Sequence, residues 1–235
     1  MNSAPAVPRR YFPVRLFHKI HLWIGVVVGI QLLLWTASGL FMTSNAIEEV
    51  RGTTLRREVP PVALSTLGPV LPPEAVLTSA VERAELTELL GRPVYKLTAG
   101  EKTWLVDART GKDWVIGREN ALAIAQAEVT LKPPLTAAPV SDPPPLELRR
   151  PGGAWMVSDA NETNVYVGKA GEVMAVRTNL WRWFDFAWGL HILDPRERED
   201  THHPVLIASA ALSVISVLSG FVLLWVRFRP RRRRA

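Results

Sequence analysis

Leu22–Met42 reads LWIGVVVGIQLLLWTASGLFM, an apolar run without one charged residue. Val205–Val226, VLIASAALSVISVLSGFVLLWV, is its counterpart near the other end of the chain. Each matches the ~20 residues a helix needs to cross the ~30 Å hydrocarbon layer of a bilayer. Buried helices of a soluble core would be served by shorter runs. The pattern therefore predicts two transmembrane helices, at 18–43 and 204–226, in a chain of 235 residues that is 48% hydrophobic with net charge +6.

The positive charge does not mark a nucleic-acid binder. Arg9, Arg10, Arg15 and Lys19 flank the first run, and Arg227, Arg229 and Arg231 to Arg234 follow the second. Lys and Arg accumulate on the cytoplasmic side of short flanks. A basic N-terminus (1–17) and a basic tail (227–235) are thus both expected in the cytoplasm, the tail against anionic lipid. The region between the spans is then extracytoplasmic, which in a bacterium means periplasmic. The first run exceeds the roughly 7–15 residues of a signal-peptide core and no A-x-A site follows it, so it reads as an uncleaved anchor.

All five histidines border the two runs: His18 and His21 before the first, and His191, His202 and His203 before the second. A histidine at or within a membrane span needs a polar partner and is a functional candidate by default. Imidazole is a standard axial ligand of haem iron. The chain has no cysteine, which removes disulfides, iron–sulfur clusters and covalent C-x-x-C-H haem attachment together. Any haem would be non-covalent, a b-type group held by His21, His191 and His203 in that order of preference, then His18 and His202. The bland alternatives are an interfacial ring on water or lipid for His191 and an N-cap-region residue before Pro204 for His202.

On an ideal helix His18, His21, Gly25, Gly29, Leu32 and Thr36 share one face. Gly25 and Gly29 form a GxxxG, read as a helix-packing surface or as room for a flat porphyrin one turn from His21. Ser209, Ser213, Ser216 and Gly220 make a small-residue stripe on the second span, and mid-span Gln31 is expected to hydrogen-bond across a helix interface. His18 and His21 lie at one edge and the other three at the far edge, ~30 Å away, so one haem cannot be ligated from both. A monomer could pair His191 with His203. A homodimer could hold one haem at each edge between equivalent histidines.

Between the spans, a Pro-rich linker (44–72) leads to two similar halves, 73–130 and 131–178. A second Pro-rich stretch, 131–147, separates them and disfavours helix. Helical patterns at Pro73–Leu90 and Gly117–Val129 precede β-rich runs at 93–97, 103–107, 154–158 and 164–167, with Gly-containing turns at 108–111 and 168–171 before EVMAV. An interfacial segment and loop (179–203) follows, with Trp181, Trp183 and Trp188 suited to the headgroup layer. The acids of 194–200 read as a solvated loop, since Arg196 and Arg198 argue against a metal site. No hydrolytic triad or H-E-x-x-H is visible.

Val106-Asp-Ala-Arg-Thr-Gly-Lys112 and Val165-Tyr-Val-Gly-Lys-Ala-Gly-Glu-Val173 resemble the strand–turn–strand signature of PepSY domains. His21-Leu-Trp-Ile-Gly25, Ser38-Gly39, Leu190-His191, Ser219-Gly220 and Leu224-Trp225 resemble the PepSY-associated transmembrane family. The likeness runs from about residue 15 to 226. It implies an α+β membrane protein: two transmembrane helices flanking an extracytoplasmic tandem PepSY-like helix-plus-antiparallel-sheet domain in a bacterial inner membrane. Larger relatives are haem-containing reductases of ferric siderophores, with paired histidines on b-type haem. They have four or more spans, whereas this chain has two and no G-x-G-x-x-G for a flavin or nicotinamide.

The resulting expectation is electron transfer to a periplasmic acceptor such as a ferric chelate. It would require a redox partner or quinone, and the other partners are the lipid bilayer and no nucleic acid. The competing expectation is a membrane-anchored binding or regulatory module, or an accessory subunit of a transport complex, without redox activity.

Overall fold

The computed structural model describes residues 14–59, 62–77, 80–151 and 153–229. The expected basic arms therefore lie largely outside the described residues: Arg9 and Arg10 at one end and Arg231–Arg234 at the other. The chain divides into two compact units, one made of residues up to 42 and from 186 onward, the other of 43–185.

The first unit holds the long helices. α1 (Val14–Thr43) and α5 (Pro204–Phe228) have mean hydropathies of 1.9 and 2.3 over their most apolar stretches, enough to cross a membrane by length and composition. α5 starts where Pro204 occupies the first turn, a position where its missing N–H costs nothing.

The shielded positions on α1 include His21, Ile24, Val28, Gln31, Trp35 and Ser38, stepping 3, 4, 3, 4, 3. Those on α5 include Leu206, Ser209, Ser213, Ser216, Gly220 and Leu223, with the same steps. Alternating steps of three and four produce a seam along one side of a helix. The serine stripe expected on the second span lies on that seam.

The face expected on the first span does not. Gly29, Leu32 and Thr36 are exposed, and a Cβ placed on Gly25 or Gly29 would meet no atom within 4 Å. The larger Ile24, Val28 and Trp35 claim the packed side instead. Gln31 is buried at 8% exposure, yet its Nε2 finds no partner among the described residues. The expected cross-helix bond is not made.

The central unit contains α2 (Ile47–Val50), β1 (Arg83–Leu89), β2 (Arg92–Ala99), β3 (Lys102–Asp107), α3 (Arg118–Glu128), β4 (Thr136–Pro139), β5 (Ala154–Ser158), β6 (Asn164–Gly168) and β7 (Val173–Arg177). They make two antiparallel sheets, β1-β2-β3 and β4-β5-β6-β7. α4 (Asn179–His191) runs from this unit into the first. Ala121, Ile124, Ala125 and Val129 on the α3 side pack into one core with Val94 and Leu105 of the first sheet and Val157, Val165, Val167 and Val176 of the second. Each fully buried Val or Ile contributes roughly 1.5–3 kcal/mol.

Two expectations are corrected here, the helix over Pro73–Leu90 and the linker at 44–72. The helix expected over Pro73–Leu90 is a short 3-10 turn at Pro73–Ala75 followed by β1. The Ala, Glu and Leu of RAELTEL favour helix, but pairing Leu86 with Tyr95 and Ala84 with Leu97 decides the outcome. The Pro-rich stretch 131–147 contains β4, which pairs with β5 along Thr136–Pro139 as an edge strand.

The segment read as a linker at 44–72 is partly built into the unit. Val50 and Leu67 are buried. Arg56 bridges Val129, while Arg57 N–H donates to Glu128 O and Thr130 N–H to Leu55 O.

Candidate functional site

The two ends of the helical unit carry matching arrangements. At the end where α1 begins, His21 Nδ1 lies 2.5 Å from Ser219 Oγ, and Ser219 Oγ lies 2.8 Å from Ser216 O. Toward the end where α1 finishes, His191 Nδ1 lies 3.0 Å from Ser38 Oγ, which is 2.7 Å from Leu34 O. A carbonyl can only accept, and two oxygens that close need a proton between them. Each serine therefore spends its single proton on its own helix and presents a lone pair to the imidazole. Nδ1–H donates to the serine in both cases, and in the neutral ring Nε2 is left with a free lone pair.

The residue after each serine is glycine. A Cβ on Gly220 would sit 3.5 Å from His21 Cε1 and 3.9 Å from its Nε2, and one on Gly39 would sit 3.7 Å from His191 Cε1. The Ser-Gly pair thus combines an acceptor for Nδ1 with a bare backbone beside Cε1, where an added Cβ would make ordinary van der Waals contact with the ring. His191 also lies beside two indoles: Trp188 is stacked at 6.4 Å and 16°, and Trp35 is tilted at 6.1 Å and 34°. From His21 to Ser38 is 17 residues of α1, about 25 Å at 1.5 Å per residue.

The other three histidines are placed differently. His18 is exposed. His202 is exposed, with Nδ1 3.2 Å from Thr201 Oγ1. His203, rather than its neighbour His202, is the N-cap of α5: Nδ1 accepts from Leu206 N–H at 3.4 Å and Nε2 faces Ile192 O at 2.8 Å. Both of its ring nitrogens are engaged, so metal ligation by His203 would cost the cap. The structure therefore brings together His21 with Ser219 and His191 with Ser38, while the monomeric His191–His203 pair lacks a second free nitrogen. Among the described residues no group of three or more His, Cys, Asp or Glu side chains could hold a bare metal ion. The acidic loop is organised by Asp194, whose carboxylate accepts the backbone N–H groups of Arg196, Glu197 and Glu199.

The central unit has a polar network that periodicity could not reveal. Glu147 accepts from Asn164 Nδ2 at 2.8 Å, Tyr166 O–H at 2.8 Å and Arg182 Nε at 2.6 Å. Burial opposes its ionisation. The three hydrogen bonds and the Arg182 charge outweigh that and hold the carboxyl below its usual value. Burial, then the bond to Glu147, pushes the Tyr166 phenol up. Glu147 lies in the stretch read as a Pro-rich divider, and its partners are 17 to 35 positions away.

A family model described as PepSY-associated TM region matches residues 18–235. No curated protein and no solved structure matches the chain. The matched span includes both long apolar helices, both Ser-Gly pairs and the two sheets between them. This α+β membrane protein belongs to the PepSY-associated transmembrane family.

Proposed function

We propose that the protein is a b-haem electron-transfer protein of a bacterial inner membrane, with its central unit periplasmic and both termini cytoplasmic. The observation that carries this reading is the shared state of His21 and His191. Each imidazole is oriented through Nδ1 by a serine and keeps Nε2 for a ligand, the arrangement usual for metal-bound histidine. The free Nε2 of each ring would suit it as a donor to haem iron. Haem, when bound, supplies one-electron chemistry. The chain's own part is to orient the two rings, fix their tautomers and hold them about 25 Å apart along α1. On this reading the acceptor is a ferric chelate, and the electrons come from a redox partner or quinone.

One of these imidazoles stands at each end, so a haem held there by two histidines would draw the second from another chain. A homodimer would supply it by symmetry, through a second His21 at one end and a second His191 at the other. The Gly25–Gly29 face of α1, where an added Cβ would touch nothing in this chain, gives a second helix room for close approach. The test is haem content in His21→Ala and His191→Ala proteins. Each single change should remove one of two haem populations, and the double change both. Full haem in the double variant overturns the assignment.

A second reading, a membrane-anchored binding or regulatory module, is favoured by a cavity of about 500 Å³ in the central unit. Trp104, Trp114 and Trp155 line it, beside Val115 at 81% exposure. Aromatic-lined concavities are common ligand sites. Function that survives the double histidine change would select this reading.

A further inference from the structure

The chain that follows α1 folds against the edge strand β7 and encloses a groove of about 480 Å³ whose walls include Arg51, Thr53, Arg56, Arg177 and Trp181. Glycine makes the fit. Gly52 has φ +67°, and a Cβ there would stand 2.7 Å from Val176 Cγ1. Only glycine takes that conformation without cost and lets the backbone lie on β7. The groove is thereby flanked by Arg51 and Thr53 on one side of the approach and by β7 on the other.

Neutral partners hold two of the guanidiniums. Arg56 Nη2 donates to Val173 O at 2.8 Å and Arg177 Nε to Glu147 O at 2.8 Å, with the Arg177 guanidinium 4.4 Å over the Trp181 ring. The nearby carboxylates are paired elsewhere, Glu147 with Arg182 at 2.6 Å and Asp185 with Arg149 at 2.8 Å. Glu128 acts on Arg56 electrostatically without an ion pair, and burial raises its carboxyl above the usual value. Among the described residues Arg51, Arg56 and Arg177 make no ion pair. Burial presses Arg177 downward in pKa, against the pull of the Glu147 and Asp185 charges that act on it without a direct contact. An oxyanion in the groove would give these guanidiniums the direct anionic partner they lack.

We propose that this groove binds a phosphate-type oxyanion, clasped by the guanidiniums of Arg51, Arg56 and Arg177 with the Thr53 hydroxyl as a further donor. Guanidinium is planar, always charged and matched to the oxygens of phosphate, and it retains these properties beside an aromatic ring. The same chemistry is offered by the headgroup of an anionic phospholipid and by a free phosphate or phosphomonoester.

The experiment uses the full chain in detergent and separates these sources. One arm titrates inorganic phosphate and follows binding by calorimetry. The other reads retention of phosphatidylglycerol over phosphatidylcholine by native mass spectrometry. The variant Arg51→Gln/Arg56→Gln should bind about tenfold more weakly, the loss expected when a charge-assisted hydrogen bond is removed. Exposed Arg118→Gln, outside the groove, should match wild type.

Arg56 also ties down Val173, so Arg51→Gln/Thr53→Ala, which removes no hydrogen bond seen in the structure, is the second variant. Loss in the phosphate arm alone identifies a soluble oxyanion, and loss in the lipid arm alone identifies a headgroup. No phosphate or lipid selectivity in wild type, or undiminished binding in both variants, overturns the proposal.

Discussion

Ser38 and Ser219 stand on different helices and do the same thing: each donates a hydrogen bond to a carbonyl of its own helix and accepts Nδ1–H from a histidine far away in sequence. His21 precedes its serine by 198 positions, while His191 follows its serine by 153. The relationship fixes which nitrogen of each ring is free, and a glycine follows each serine. The family-like Ser-Gly pairs thereby acquire a physical role that their sequence alone does not state.

Removing the acceptor should loosen the ring. Ser219→Ala and Ser38→Ala are expected to weaken haem binding at their own ends by roughly 10- to 100-fold, the usual cost of losing a hydrogen bond that orients a metal-bound histidine. Ser→Thr at either position keeps a hydroxyl and should retain most of the binding. Haem titration of the apo-protein checks both. Equal affinity in wild type and the alanine variants would show that the serines do not orient ligands.

His203 should behave as a cap. His203→Leu is expected to cost about 1 kcal/mol of helix stability, as other lost N-caps do, and His203→Asn to restore it. Haem content should be unchanged in both. A large haem loss in the asparagine variant would return His203 to the ligand set.

Gly52 should tolerate nothing larger. At φ +67° with Val176 Cγ1 2.7 Å from a modest Cβ, Gly52→Ala is expected to destabilise the central unit by about 1–3 kcal/mol. Chemical denaturation followed by tryptophan fluorescence measures this. An unchanged midpoint would mean that the segment does not rest on β7 as described.

Acid should unsettle the central unit through Glu147. Its folded carboxyl titrates below the usual 4.5, so the unfolded state takes up a proton first as pH falls. This contribution is complete above about pH 4.5 and fades as pH drops through the lower folded value. Glu147→Gln should be less stable at neutral pH and show a flatter decline in acid. Melting temperatures across the range distinguish that from parallel curves, which would assign the acid response to other carboxylates.

The two long helices were legible because a bilayer demands length and apolarity, and a run such as Leu22–Met42 has both. Most strands were legible from Gly-punctuated runs such as NVYV. β1 was not, because RAELTEL is built of helix formers and only its partner Tyr95 strand reveals its fate. β4 was hidden by the prolines around it. His21 and His191 stood out by position, but the serines that orient them sit on other helices. Gly25 and Gly29 suggest a packing face on α1 by their spacing, while Ile24, Val28 and Trp35 lie on the shielded side. Pairings such as Glu147 with Arg182 depend on tertiary proximity and leave no local pattern.

The most direct test of the account is a dithionite-reduced minus air-oxidised absorption spectrum of the full chain, purified in detergent after expression with ample haem supply. The account predicts a sharp low-spin b-type difference signal that is lost when His21 and His191 are both changed to alanine. Folded, haem-supplied wild type with no such signal would contradict it.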